Sequence, residues 1–88
     1  MATGKLYGDY GEEMLATVDY RLYDGSRVGW WGELLTTEFT RLKEGDGFVI
    51  ELSDRRRGHC LLRKRVNRAV SGVPPRYIYR FTGVGPLE

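Results

Sequence analysis

At 88 residues, 41% of them hydrophobic and with three Phe, six Tyr and two Trp, the chain has the size and apolar bulk of one folded domain, which excludes a second core. A single cysteine, Cys60, excludes an intrachain disulfide, and apolar runs as short as Phe48-Val49-Ile50 exclude a membrane helix, which needs about 20 such residues. The net charge of +2 hides an imbalance: residues 1–49 carry five basic and nine acidic groups, a net −4, whereas residues 50–88 carry nine basic and three acidic, a net +6.

Met1-Ala2-Thr3-Gly4-Lys5 lacks the apolar core of a signal peptide, so a reducing cytoplasm is the expected location. Residues 1–12 are expected to be loosely ordered, although a sixth strand can be drawn through Lys5-Leu6-Tyr7. Period-two alternation starts at Met14: Met14, Ala16, Val18, Tyr20 and Leu22 share one face, and the more polar Leu15, Thr17, Asp19, Arg21 and Tyr23 share the other. Asp24-Gly25-Ser26 is a hairpin turn, since Gly accepts positive φ without steric cost. The returning strand runs from Arg27 to Leu35, with Gly29 and Gly32 marking the bends a small barrel needs. Neighbours in a strand point to opposite faces, so one of Trp30 and Trp31 enters the core, and Leu35 shares the side of Trp31.

Thr36 to Lys43 reads as an irregular crossover or one helical turn, and Glu44-Gly45-Asp46-Gly47 as a turn. Phe48, Ile50 and Leu52 then point inward from a strand, with Val49 and Glu51 outward. Ser53 to Gly58 is the next turn and His59 to Val66 the next strand, with Cys60, Leu62 and Val66 inside and Arg63 and Arg65 outside. Ser71-Gly72-Val73-Pro74-Pro75 is a loop, because Pro75 keeps Pro74 out of the helical region. The last strand, Arg76 to Thr82, turns Tyr77, Tyr79 and Phe81 to one face and Arg76, Ile78 and Arg80 to the other, and residues 83–88 form a C-terminal tail. These elements predict a single all-β domain over residues 1–88. It is a small five- to six-stranded antiparallel barrel, meander or Greek key, with little or no helix.

Catalysis is not expected. His59 and Cys60 are adjacent, so a strand sends them to opposite faces and denies them a nucleophile–base contact. A zinc site needs about four ligands and the chain has one His and one Cys, so no metal is expected; no other cofactor is either, since no phosphate-cradling glycine motif stands between a strand and a helix.

The remaining chemistry lies in the basic half. Arg55, Arg56, Arg57, Arg63, Arg65, Arg68, Arg76 and Arg80 are candidates for contacts to an anionic polymer, RNA or DNA, because the planar guanidinium fork suits phosphate. If the strands carrying Arg63, Arg65, Arg76 and Arg80 are neighbours, those four arginines line one outer surface. Aromatic rings to stack on bases then have to come from Trp30, Trp31 or Tyr23. The same arginines also suit cross-strand pairing with Asp19, Glu33 and Glu51, all at outward positions. A protein-contact patch at Trp31 and Leu35 is a second reading, from a different class.

Asp24-Gly25-Ser26-Arg27-Val28-Gly29 resembles the DxSxxG element of PilZ domains, six-stranded barrels that bind cyclic di-GMP. The resemblance covers six residues and implies a third reading, binding of a cyclic dinucleotide. In that family an RxxxR element precedes DxSxxG. Here the RxxxR that suits a surface, Arg76-Tyr77-Ile78-Tyr79-Arg80, follows it.

Overall fold

Alternating side chains need a closed sheet to give every strand one dry side, and six strands supply it. The structure is a computed structural model that describes residues 2–36, 42–65 and 78–88. Its strands are β1 (Ala2–Gly8), β2 (Glu13–Asp24), β3 (Trp31–Thr36), β4 (Gly45–Glu51), β5 (Arg57–Lys64) and β6 (Ile78–Gly83). They close into an antiparallel barrel in the order β1-β2-β3-β6-β5-β4. Two three-stranded meanders, β1-β2-β3 and β4-β5-β6, are thus joined by the β1–β4 and β3–β6 pairings.

The inward positions match the alternation. Val18, Leu34, Ile50, Cys60, Leu62, Tyr79 and Phe81 are fully buried, and Ala16, Tyr20 and Phe48 nearly so. Trp30, just ahead of β3, fills a slot cut for it by two glycines. A Cβ on Gly58 would lie 2.5 Å from the Trp30 ring and one on Gly83 would lie 2.3 Å from it, so only glycine lets the indole reach the strands. Its Nε1 donates to the Gly85 carbonyl at 2.7 Å. Burying such a ring contributes about 3 kcal/mol, a large share of the stability a small domain has.

Buried phenols tie connections to the barrel wall. Tyr79 Oη accepts from the Leu42 amide at 3.0 Å and donates to the Leu42 carbonyl at 3.1 Å, so the chain entering β4 is fixed from inside. Tyr20 Oη accepts from the Ser53 amide at 2.9 Å and anchors the β4–β5 turn in the same way.

Several expectations change. The sixth strand drawn through Lys5-Leu6-Tyr7 is present and runs over Ala2–Gly8, so this segment is a stave of the barrel and not loose, with Leu6 fully buried. Met14 lies outside, 49% exposed, because β1 slips register against β2 between Leu6 and Tyr7, opposite the start of β2. Arg27 to Trp30 belong to the β2–β3 connection. Gly45 to Gly47 form the bulged start of β4, with φ of 132° at Gly45 and 84° at Gly47. Val49 faces outward yet is buried, because the turn Asp9–Gly11 packs over it. That turn holds three successive residues at positive φ: 49° at Asp9, 53° at Tyr10 and 101° at Gly11. In the tail, Leu87 is buried and its amide bonds the Arg27 carbonyl. The readings for Thr37 to Arg41, Val66, Arg68, Ser71 to Pro75, Arg76 and Tyr77 lie outside the described residues.

Candidate functional site

Strand register decides which outward side chains meet. Arg21 on β2 pairs with Glu33 on β3, Glu33 with Arg80 on β6, and Arg80 with Arg63 on β5. Four adjacent strands therefore carry the row Arg21, Glu33, Arg80, Arg63, about 14 Å from end to end at the usual strand spacing.

The neighbouring row is aromatic. A bulge between Leu22 and Asp24 leaves Tyr23 as the extra residue and re-aims its ring against Trp31, with centroids 4.9 Å apart and planes 24° apart. The Arg80 guanidinium carbon lies 4.4 Å from the Trp31 ring centroid. Because β2 and β6 flank β3 on opposite sides, Tyr23 and Arg80 occupy the two faces of the indole. Trp31 is half-buried, while Tyr23 keeps 49% of its surface exposed.

Glu33 is fully engaged at the centre of this face. Its Oε1 accepts from Tyr23 Oη at 2.9 Å and its Oε2 from Arg65 Nη1 at 2.9 Å. Arg63 and Arg80 stand directly opposite each other, both exposed, and neither forms an ion pair among the described residues. Like charges directly opposed across a sheet are destabilising. The stack on Trp31 offsets part of that cost for Arg80 and none for Arg63.

The other candidate arginines lie elsewhere. Arg57 sits 4.7 Å over the Tyr7 ring, opposite Glu51, about 20 Å along β5 from Arg63. Glu51 also accepts a hydrogen bond from the Tyr7 phenol, whose pKa is raised by desolvation and by that carboxylate. Arg56 donates from Nε to Asp54 at 2.8 Å, and the Arg56 amide holds the Asp54 carboxyl below its usual range. Arg55, at φ 73°, borders a shallow cavity of about 320 Å³ lined also by Lys5, Glu51 and Ser53. Arg68 and Arg76 are outside the described residues. The barrel thus gathers Arg63, Arg65 and Arg80, separates Arg55, Arg56 and Arg57 from them, and adds Arg21. That residue's outward position was readable from alternation, but its neighbours were not.

Trp31 and Leu35 do share the outer face of β3, both half-buried, with Glu33 between them. In the Asp24–Gly29 segment, Asp24 Oδ1 accepts from the Ser26 amide at 2.9 Å, and hydrogen bonds from Ser26 hold the carboxyl below its ordinary pKa. Asp24 is the cross-strand partner of Trp31, so it and Arg80 flank the same tryptophan.

Cys60 is fully buried, and desolvation pushes its thiol up to about 12, while His59 points to the exposed side. Among the described residues, no group of three or more His, Cys, Asp or Glu is placed to hold a metal ion, and no helix is long and apolar enough to cross a membrane. No protein-family model, curated protein sequence or solved structure matches the chain.

Proposed function

We propose that this protein is a non-enzymatic binding module whose outer β2-β3-β6-β5 face engages an anionic polymer, RNA or DNA. The observation that carries the reading is the opposed pair Arg63–Arg80, two exposed guanidinium groups in register with no carboxylate between them. A bound phosphate relieves their repulsion and accepts a charge-assisted hydrogen bond from each. Arg65, 57% exposed at its side chain despite its bond to Glu33, and Arg21 widen the positive field. Cys60 is sequestered in the core, out of reach of a ligand on this face, so the reading uses no thiol chemistry.

The test is fluorescence anisotropy with a labelled oligonucleotide across a salt series. The wild type binds at low salt and weakens steeply as salt is added. Replacing both arginines (Arg63→Gln with Arg80→Gln) lowers affinity by about 10-fold or more and flattens the logarithmic salt slope by about 1.4 for a single strand. Absence of binding at low salt, or an unchanged slope in the double variant, rejects the reading. The placement of Asp24 and Arg80 around Trp31 favours one alternative, a cyclic dinucleotide, and saturable 1:1 titration with cyclic di-GMP would select it.

A further inference from the structure

We infer that the nucleic acid bound is single-stranded and that one of its bases stacks on the outer face of Tyr23, an inference that rests on the polyanion reading above. The binding face carries two kinds of group. Arg63 and Arg80 stand side by side towards β5, and neither is ion-paired among the described residues. Towards β2 stand Tyr23 and Trp31, with the Glu33 carboxylate bonded to the Tyr23 phenol and to Arg65 and with Arg21 opposite it in register. A phosphate is drawn to the arginines, most of all to the Arg63–Arg80 pair. A neutral base gains area on the aromatic ring instead. One nucleotide strand carries both kinds of group, and it exposes both only when unpaired.

The stacking surface is specific to Tyr23. Both faces of Trp31 are covered, one by Tyr23 and the other by Arg80, so no base can lie on the indole itself. Tyr23 ends the stack: its inner face rests on Trp31 and 49% of the residue remains in contact with solvent. The indole behind it and the bond to Glu33 hold the phenol ring in place, so little side-chain freedom is lost when a base arrives. Duplex DNA cannot use this feature, because its bases are already stacked. Nor does a face of four strands, about 14 Å across its backbones alone, fit a major groove about 12 Å wide that admits one helix or a two-stranded ribbon.

Three probes spanning 12 nucleotide positions separate the cases: a 12-residue deoxythymidine strand, a 12-residue abasic strand with the same phosphates, and a blunt 12-base-pair duplex without a loop. The deoxythymidine strand is expected to bind about 5- to 150-fold tighter than the abasic one, the span of one stacked base. Tyr23→Ala brings it down to the abasic level with the salt slope unchanged, whereas Tyr23→Phe, which keeps the ring, retains the advantage. Unaltered abasic binding by Tyr23→Ala shows that the variant is folded. Equal affinity of the wild type for the thymidine and abasic strands, or tighter binding of the duplex, overturns stacking and leaves the phosphate reading intact. Failure of all three probes to bind rejects both.

Discussion

Trp30 and Trp31 are consecutive in the chain and belong to different parts of the molecule. Trp30 is sealed in a slot whose walls are the backbones of Gly58 and Gly83, its indole N–H donated to the Gly85 carbonyl. Trp31 stands outside, its ring set between Tyr23 and Arg80. The inner ring is fixed by what cannot be added beside it, and the outer ring by groups that can be replaced one at a time. Stability is therefore concentrated on the first and, in the function proposed above, binding on the second, so that each of the two can be disturbed without the other.

The largest effect expected is from Trp30→Ala, which empties the slot and costs about 4 kcal/mol, enough to unfold much of a domain this small in thermal or urea denaturation. Gly83→Ala attacks the same contact by overfilling and is expected to cost about 3 kcal/mol, lowering the melting temperature by about 15 °C. A Gly83→Ala protein as stable as the wild type would mean that the slot is not the keystone described. Tyr79→Phe leaves the buried Leu42 amide without its acceptor and should lose about 1–3 kcal/mol in the same assay. Trp31→Ala removes one stack and one cation–π contact, so its cost is expected to be only about 1–2 kcal/mol, yet it should abolish the base-dependent part of oligonucleotide affinity. Smallest of all in free energy is the reactivity of Cys60. With its thiol protonated up to about pH 12 and buried, native protein at pH 8 is expected to resist iodoacetamide, and denatured protein to be alkylated fully.

Alternation carried most of the inner wall. Ala16, Val18, Tyr20, Ile50, Leu62 and Phe81 lie where the period-two pattern put them, because in a closed barrel each inward position is dry. The pattern failed where the pairing was irregular. Met14 sits next to the slip between Leu6 and Tyr7. Tyr23 lies outward as the pattern put it, but its stacking on Trp31 comes from a bulge that single-sequence alternation does not register. Val49 was read correctly as outward, but the left-handed turn that buries it is a tertiary contact with no local signature beyond Gly11. The candidate site divided along the same line. The outward facing of Arg63, Arg65 and Arg80 was legible, whereas the opposition of Arg63 to Arg80 and the enclosure of Trp31 depend on which strands are neighbours. Three consecutive arginines at 55–57 looked like one feature, and the β4–β5 turn sends them in different directions, one to Asp54, one over Tyr7 and one to the edge of a cavity.

The two indole N–H groups give separate signals in an amide correlation NMR spectrum, and a Trp31→Phe variant assigns them. Titration with a 12-residue deoxythymidine strand at low salt is expected to move the Trp31 signal progressively and leave that of Trp30, bonded to Gly85 inside the barrel, where it is. A Trp31 signal that stays fixed while the strand binds, or a Trp30 signal that moves alone, would show that the ligand surface lies elsewhere on the barrel.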